Sequence, residues 1–256
     1  MSKSDLLSVI IPAYNEEANI VETINQVVSG LQVAEINYEL VIVNDNSKDS
    51  TPQLVLDLAK DNDRIKLVNR QQPGGFGRAI RTGLSNFTGD YVVIVMADLS
   101  DSVEDIVSYY RTLQQGYDSV FGSRFMKGSS VTEYPPIKLL VNRLVNKFLQ
   151  LFFFTKHNDL TNAFKAYRAE VIRDILPLQA AHFNITIELS LSVLIRKYKI
   201  AKVPISWTGR KWGSSNLRLT VMGRRYLATL LKIWFERLLI LDDINAEKSI
   251  QKPEDQ

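Results

Sequence analysis

The sequence has 256 residues, a formal net charge of +3 at pH 7, and a hydrophobic fraction of 45%. This length allows one large α/β domain, or a domain with a C-terminal elaboration. Because the sequence has no cysteine, disulfides and thiolate zinc sites are excluded, and the small net charge gives no reason to expect a nucleic-acid partner.

The first half of the chain alternates short apolar runs with helical patterns. Strand-like runs cover Ser8–Pro12, Leu40–Val43, Ile65–Asn69, Tyr91–Met96 and Ser119–Gly122. Helical patterns cover Ala18–Leu31, Thr51–Asp61, Arg78–Ser85 and Val103–Gln115. Strands that alternate with helices in this way are typical of βαβ units. We therefore predict an α/β fold with a Rossmann-like, mostly parallel sheet flanked by helices.

Two later segments predict amphipathic helices. The segment Ile137–Phe154 carries Arg143 and Lys147 four residues apart among apolar side chains, and the segment Arg225–Leu241 mixes cations with apolar and aromatic residues. Basic, aromatic-rich helices of this kind lie in a membrane interface, in a protein core or in an oligomer contact. The pattern alone leaves all three open.

The remaining elements add a helix around Ile185–Lys197 and a late strand over Lys202–Trp207. No stretch has the roughly 18 apolar residues that a membrane span needs, and the N-terminus lacks the apolar core of a signal peptide, so we expect a cytoplasmic chain. With only two histidines, His157 and His182, a histidine-based hydrolase or zinc site is poorly supported. We expect His157 to be exposed.

Polar side chains follow three of the predicted strands where those strands end. Glu16, Asp45 and Asp98 come after the first, second and fourth apolar runs. Ligands of open α/β sheets gather at the carboxyl ends of the strands, so we expect these carboxylates at one edge of the sheet. The Gly/Ser loop Trp207–Asn216 adds cations, and the combination suits a metal-bound diphosphate. Taken alone, Asp45 equally suits a capping turn between a strand and a helix.

Several of these strings resemble those of the family 2 glycosyltransferases, whose fold is called GT-A. The string Pro-Ala-Tyr-Asn-Glu at 12–16 is typical of the wider family. The segment Asp159–Arg168 and the loop around Arg210 resemble the polyprenyl-phosphate sugar transferases of the dolichyl-phosphate mannosyltransferase type. The resemblance covers roughly Leu7 to Leu217. It implies a GT-A domain over 1–217, followed by an amphipathic helix and a polar tail over 218–256.

The resemblance also implies a site for a nucleotide-sugar donor. The residues it assigns to the donor are Pro12, Tyr14, Glu16, Asp45, Gly75, Arg78, Asp98, Arg210 and Ser215. Carboxylates in such a site accept hydrogen bonds from ribose hydroxyls and base N–H groups. Gly74–Gly77 looks like the family's glycine segment before a donor-side helix, although it would serve equally as a plain helix-starting turn.

A divalent metal, Mg²⁺ or Mn²⁺, is implied at the acidic motif, residues 96–101. The family usually has Asp-any-Asp here, and this chain has Met96-Ala97-Asp98. Asp98 matches the second acid, and Ser100 and Asp101 are the nearest further oxygen ligands. Mg²⁺ commonly uses one or two carboxylates together with phosphate oxygens, so such a site does not require the first acid.

The activity that the resemblance implies is inverting transfer of a hexose from GDP-mannose or a UDP-sugar to a polyprenyl phosphate. The residues assigned to the reaction are Asp98, Arg124, Lys165, Arg168 and Arg210. Arg124, Lys165 and Arg168 are expected to orient the lipid phosphate, while Asp98 and Arg210 act at the diphosphate. The partners implied are the donor, the lipid acceptor, a peripheral contact with the cytoplasmic face of a membrane and, as one option, a second copy of the chain.

Two other functions stay open at this point. One is a family 2 enzyme that acts on a hydroxyl of a glycan or small molecule, for which Glu188 is the leading general base. The other is a non-catalytic protein that binds a nucleotide sugar, suggested by Met96 in the acidic motif.

Overall fold

The computed structural model describes residues 5–209 and 219–250, with side chains described for 5–209 and 223–243. The strands are β1 Leu7–Ala13, β2 Tyr38–Asn44, β3 Ile65–Asn69, β4 Tyr91–Ile94, β5 Ser119–Ser123, β6 Ser130–Thr132, β7 Lys165–Arg168, β8 Ile200–Pro204 and β9 Ser206–Thr208. The helices are α1 Ile20–Val33, α2 Thr51–Asp61, α3 Phe76–Asn86, α4 Val103–Gln114, α5 Pro136–Phe153, α6 Ala169–Ile175, α7 Ile185–Ile195 and α8 Leu219–Ile250.

A seven-stranded sheet with the order β3-β2-β1-β4-β7-β5-β8 runs through the middle of the molecule. Neighbouring strands are parallel except at β7, which is antiparallel to both β4 and β5. Every residue of β1 and β2 is buried, as expected of strands covered by helices on both faces. The predicted α/β fold with a mostly parallel sheet is confirmed.

Helices cover both faces of this sheet, and each face has its own apolar core. On one face, α1, α2 and α4 contribute side chains such as Ile24, Val55 and Ile106. On the other, α3, α6, α7 and α8 contribute Ile80, Ile172, Leu191 and Ile233. The helix α8 is therefore partly a core helix, because Ile233 is fully buried.

Two parts of the strand prediction were incomplete. The short strand β7 was not foreseen, although its residues lie in the segment Asp159–Arg168. The late strand over Lys202–Trp207 is divided at Ile205: β8 pairs with β5, whereas β9 pairs with β6 in a separate two-stranded sheet. The chain therefore leaves the main sheet at Ile205 and carries Trp207 over its carboxyl edge.

The predicted amphipathic helices form, and each leaves apolar side chains exposed. On α5 and the residue that follows it, Leu144, Phe148 and Phe154 are exposed, and on α8 the exposed side chains include Phe235 and Leu239. The guanidinium of Arg237 lies 5.9 Å from the centre of the Phe154 ring, so the end of α5 and the middle of α8 are neighbours. Among the described residues, no helix is both long and apolar enough to span a membrane.

The expectation that His157 is exposed was wrong. Its ring packs edge-on against Phe121 with the ring centres 5.6 Å apart, and within the described residues its buried Nδ1 has no hydrogen-bond partner. Burial lowers the pKa of His157 to about 4, with the charges of Lys202 and Lys165 acting in the same direction. At neutral pH this imidazole is uncharged, which suits its packing role.

Candidate functional site

The three carboxylates predicted at the sheet edge do lie at one edge. The strands β2, β1 and β4 are neighbours and run in the same direction, so Glu16, Asp45 and Asp98 all follow carboxyl ends. All three residues are buried, although each is a carboxylic acid. Buried carboxylates are costly unless they are compensated, so their surroundings decide what each one does.

Glu16 lies at the start of the turn that leads into α1. Its Oε2 accepts a hydrogen bond from Asn19 Nδ2 at 3.0 Å, and its backbone N–H donates to Thr51 Oγ1 at 2.9 Å. Pro12 is inside β1, while the side chain of Tyr14 is 44% exposed at the same edge. Tyr14 therefore offers an aromatic ring beside Glu16 for stacking with a ligand.

Asp45 is held by two partners that sequence reasoning missed. Its Oδ1 forms an ion pair with Nη1 of Arg70, the residue directly after β3, and its Oδ2 accepts a hydrogen bond of 2.6 Å from the backbone N–H of Gly75. The position of Arg70 after the carboxyl end of β3 was the available signal. Asp45 thus ties β2, β3 and the glycine turn together, and Arg70 brings a cation to the edge.

The glycine turn, Gly74–Gly77, lies under the α6–α7 loop, residues 176–184. Gly75 has a φ of +152°, and a Cβ at Gly77 would come within 2.5 Å of the Ala180 carbonyl oxygen. The N–H of Arg78 donates to the Ala181 oxygen at 3.3 Å, and its guanidinium donates to the Gly74 oxygen at 2.9 Å. The glycines therefore permit a close approach, but by the chain's own backbone.

A cation from α8 also reaches this region. Burial lowers the pKa of His182, in the α6–α7 loop, and the positive charges of Arg225 and Arg78 lower it further, whereas Asp45 opposes them. Arg225 of α8 therefore lies near the glycine turn and adds to the positive charge that Arg70 and Arg78 provide there.

The acidic motif has two carboxylates that influence each other. Asp98 is 8% exposed, and its Oδ1 accepts from the backbone N–H of Ser100 at 3.3 Å. Asp101 Oδ2 accepts from the backbone N–H of Met96 at 2.9 Å. Burial raises the pKa of Asp101 to about 8, and the nearby charge of Asp98 adds to this rise. A group of three or more acidic or histidine residues that could hold a metal does not occur among the described residues.

A cavity of about 640 Å³ opens beside the acidic motif, between α1, residues 99–104 and β9. It shares Leu99, Ser100 and Asp101 with the motif but is not lined by Glu16, Asp45 or Arg124. It therefore adjoins the acidic motif without extending to Glu16 or Asp45.

Arg124 forms a buried, bidentate ion pair with Asp159 just beyond the carboxyl end of β5. Nε and Nη2 of Arg124 each donate to the Asp159 carboxylate at 2.8 Å, and the backbone N–H of Arg124 donates to it at 3.0 Å. The rings of Tyr134 and Trp207 lie 5.7 and 5.9 Å from the guanidinium carbon. Arg124 is thus a fixed cation with aromatic neighbours.

Lys165 lies beneath this pair and is almost completely buried. Its Nζ donates to the Leu160 carbonyl oxygen at 3.2 Å and to the Asn162 carbonyl oxygen. Burial lowers the pKa of Lys165 to about 7, although the negative charge of Asp159 opposes the shift. Lys165 therefore lies near Arg124, but its amine supports the 160–162 loop and is not open to solvent.

The placement of Arg168 with the acceptor cations was wrong. Because β7 is antiparallel to β4, Arg168 pairs with Tyr91 at the amino end of β4, the edge opposite Asp98. Its guanidinium donates to the carbonyl oxygens of Tyr117 at 2.9 Å and Leu113 at 2.8 Å. Arg168 anchors the end of α4. Arg210 and Ser215 lie outside the described residues.

Glu188, the candidate general base, is fully engaged in the structure. It is 1% exposed, and its carboxylate accepts from the backbone N–H groups of Gln179 and Ala180 and from Lys232 Nζ. A general base must reach the proton that it removes. This carboxylate is enclosed by the α6–α7 loop and α8, so it does not fit that role.

Comparison with known proteins identifies a family. Residues 8–176 match the family model described as Glycosyl transferase family 2. The dolichol-phosphate mannosyltransferase of Pyrococcus furiosus is 31% identical over 217 residues, which cover 83% of this chain and 59% of that protein. The chain thus spans about three fifths of the length of that relative.

A second relative is matched over most of its length. The polyprenol monophosphomannose synthase of Mycolicibacterium smegmatis is 28% identical over 215 residues, covering 82% of this chain and 80% of that protein. Among solved structures, glucosyl-3-phosphoglycerate synthase from Mycobacterium tuberculosis, in complex with Mn²⁺, UDP and glucosyl-3-phosphoglycerate, has a TM-score of 0.67 at 21% identity. That match covers 90% of this chain and 80% of the other, and it shows a shared GT-A fold.

Proposed function

Because the chain belongs to glycosyl transferase family 2, we propose that it transfers a hexose, with inversion, from a nucleotide sugar to a polyprenyl phosphate. Two relatives with this type of name, a dolichol-phosphate mannosyltransferase and a polyprenol monophosphomannose synthase, support the acceptor class. Their names also favour mannose as the sugar, and we propose GDP-mannose as the donor, with a UDP-sugar as the next choice.

The observation that carries this proposal is the link between a fixed cation and an exposed apolar helix. Asn146 of α5 accepts from the backbone N–H of Leu160 at 2.7 Å and donates to Thr161 Oγ1 at 2.8 Å. The same loop begins at Asp159, which holds Arg124. An amphiphile with an anionic head group requires such a combination: a cation for the phosphate, next to apolar surface for the chain.

For the donor, we assign the carboxyl edge of β1, β2 and β4. Glu16 and Tyr14 are suited to a nucleoside, since a buried carboxylate accepts hydrogen bonds and an exposed ring stacks. Arg70, Arg78 and Arg225 supply positive charge near the glycine turn for the diphosphate. Asp45 organises this edge through Arg70 and Gly75. Pro12, Gly75, Arg210 and Ser215 remain part of the same assignment.

The acidic motif fits a divalent cation in its chemistry. Asp98, Ser100 and Asp101 supply hard oxygen atoms. Burial raises the pKa of Asp101 and the charge of Asp98 adds to the rise, so a divalent cation held by these residues would favour the ionised form of Asp101. We propose Mg²⁺ or Mn²⁺ here, and such a cation, when bound, neutralises charge on the departing diphosphate. Mn²⁺ and UDP in the complex of the M. tuberculosis synthase support this choice.

The reaction itself needs little proton chemistry. An ionised lipid phosphate is already a nucleophile, so the chain has to position it opposite the departing diphosphate. We assign that positioning to Arg124, whose Nη1 is not used in the bidentate pair that Nε and Nη2 form with Asp159, with Lys165 as support for its loop. The enclosed carboxylate of Glu188 argues against an acceptor hydroxyl that needs a base at that position.

We also propose that the exposed faces of α5 and α8 rest on the cytoplasmic face of a membrane. Exposed Leu140, Leu144 and Phe148 lie on a helix that also carries Lys138, Arg143 and Lys147. Apolar and basic side chains on one helix favour an anionic lipid interface. A homo-oligomer that buries the same faces is the other outcome, and light scattering with and without vesicles separates the two.

The experiment that tests the function measures sugar transfer into lipid. Purified protein is incubated with radiolabelled GDP-mannose and UDP-sugars, Mg²⁺ or Mn²⁺, and a short polyprenyl phosphate, and the label extracted into organic solvent is counted. We expect metal-dependent label that is lost in Asp98→Asn. Label on water-soluble glycans instead would favour a hydroxyl acceptor, and donor binding without any transfer would favour a non-catalytic protein.

A further inference from the structure

The buried carboxylate of Glu188 joins three parts of the molecule. Both of its oxygens accept from the backbone N–H of Gln179 at 3.0 Å, and Oε2 also accepts from Ala180 N–H at 2.6 Å. The third part is α8, from which Lys232 Nζ donates to Oε1 at 2.6 Å. Glu188 of α7 thus fastens the α6–α7 loop on one side and α8 on the other.

The fastened loop is the one that covers the glycine turn. Two residues beyond Gln179, the carbonyl oxygen of Ala181 accepts the Arg78 N–H, and the carbonyl oxygen of Ala180 lies only 2.5 Å from the position of a Cβ at Gly77. The position of the loop therefore limits the position of Gly75. Because the Gly75 N–H donates to Asp45, the limit extends to the donor edge.

The chemistry of this contact requires a carboxylate. The N–H groups of Gln179 and Ala180 and the ammonium of Lys232 all need acceptors. Both oxygens of an ionised carboxylate accept hydrogen bonds, and neither carries a hydrogen to donate. Glutamine has nearly the same shape, but its amide nitrogen would face a donor. Hydrogen bonds to charged groups are also stronger than neutral ones, so the substitution weakens the fastening without creating a cavity.

We propose that Glu188 is a positioning residue for the nucleotide: through Gln179 and Ala180 it holds the α6–α7 loop against the glycine turn, and Lys232 makes this support depend on α8. The proposal rests on the proposed function in that the bound group is a nucleotide. Its first test does not require nucleotide or activity, so the two proposals fail separately.

The test compares Glu188→Gln with Glu236→Gln by hydrogen–deuterium exchange in the absence of ligand. Glu236 is a matched control, because it lies one turn after Lys232 on α8 and pairs at 2.9 Å with Arg196 at the end of α7. Arg196 also pairs with Asp174 of α6 at 3.3 Å, but among the described residues neither Glu236 nor Arg196 has a hydrogen bond to residues 176–184. In Glu188→Gln we expect exchange to rise by roughly tenfold both in residues 176–184 and in residues 75–79, where Arg78 N–H reports directly. In Glu236→Gln we expect no change in residues 75–79.

Binding of GDP and UDP, measured by calorimetry with Mg²⁺, gives the second readout. For the nucleotide that the wild type binds, we expect Glu188→Gln to lower the affinity by about tenfold and Glu236→Gln to leave the affinity unchanged. Faster exchange confined to residues 176–184, or no change in either region, overturns the proposal. If Glu188→Gln does not fold, Lys232→Met, which keeps the aliphatic stem, takes its place. We expect Lys232→Met to raise hydrogen–deuterium exchange in the same two regions, residues 176–184 and 75–79, by a smaller factor.

Discussion

Asp159→Asn is expected to be strongly destabilising, because Asp159 is the partner of a buried arginine. The side chains of Arg124 and Asp159 are only 8% and 1% exposed, and three hydrogen bonds from Arg124 end on this carboxylate. Asparagine keeps the shape but leaves the guanidinium without a compensating charge. It also turns one acceptor oxygen into a donor that faces the Nε or Nη2 hydrogen.

The size of the effect follows from this burial. Removing one partner of a buried ion pair costs about 3–5 kcal/mol, several times the value of an exposed pair. For a domain of this size, each kcal/mol shifts the Tm by about 2–4 °C, so we expect a fall of roughly 10 °C. The negative charge of Asp159 also stabilises the ammonium form of the buried Lys165. Losing that charge makes the ammonium less favourable, which adds to the fall in the free energy of unfolding.

Urea unfolding of four proteins checks this reasoning: the wild type, Asp159→Asn, Arg124→Met and the double variant. We expect the double variant to be destabilised by much less than the sum of the single changes, with a coupling above about 2 kcal/mol. Asp57→Asn, which breaks the exposed pair with Lys60, serves as the control and should leave the unfolding curve unchanged. Additive single changes at Arg124 and Asp159 would refute the mutual compensation inferred here.

Three further predictions follow from other contacts. The pKa of Lys165 is lowered from 10.5 to about 7, so between these pH values the unfolded chain holds a proton that the folded chain has lost. The contribution of Lys165 to stability should therefore rise by up to about 1.4 kcal/mol per pH unit over this range. In urea unfolding at pH 7, 8 and 9, the stability of Lys165→Met should rise less with pH than that of the wild type, and parallel profiles would contradict the shift. Gly77→Ala should lower the Tm and weaken nucleotide binding because its Cβ would meet Ala180. In contrast, a Cβ at Gly223 in α8 meets no atom of the described residues within 4 Å, so Gly223→Ala should slightly raise the Tm. Equal effects of the two changes would show that the α6–α7 loop yields freely. Leu144→Glu on the exposed face of α5 should reduce sedimentation with anionic vesicles while the Tm stays constant, and unchanged sedimentation would remove α5 from the proposed membrane contact.

The parts of the fold that could be predicted have a strong local signal. The strands β1 and β2 contain the apolar runs Val9–Pro12 and Leu40–Val43. The common direction of β1, β2 and β4 was enough to bring Glu16, Asp45 and Asp98 to one edge. The helix α2 was predicted with its observed bounds, and Pro52 lies in its first turn, where proline is favoured.

The errors concern interactions between distant parts of the chain. The strand β7 has four residues, two of which are cationic, so no apolar run marked it. Because β7 runs antiparallel to β4, Arg168 lies at the edge formed by the amino end of β4 and not at the carboxyl edge. The division at Ile205 depends on β6, which only tertiary pairing reveals. The partners of Asp45 and Glu188 likewise come from segments that lie far away in the sequence.

The insertion of β7 between β4 and β5 also governs the order in which the sheet can be completed. Ile94 of β4 pairs with Lys165, and Phe121 of β5 pairs with the same residue, so β7 bridges two strands that were synthesised well before it. Until that bridge forms, β4 has an apolar edge with unpaired backbone groups, which is a template for association with other chains. Such long-range closure slows folding. Fragments that stop before residue 165 are therefore expected to aggregate, and a useful truncation has to retain β7.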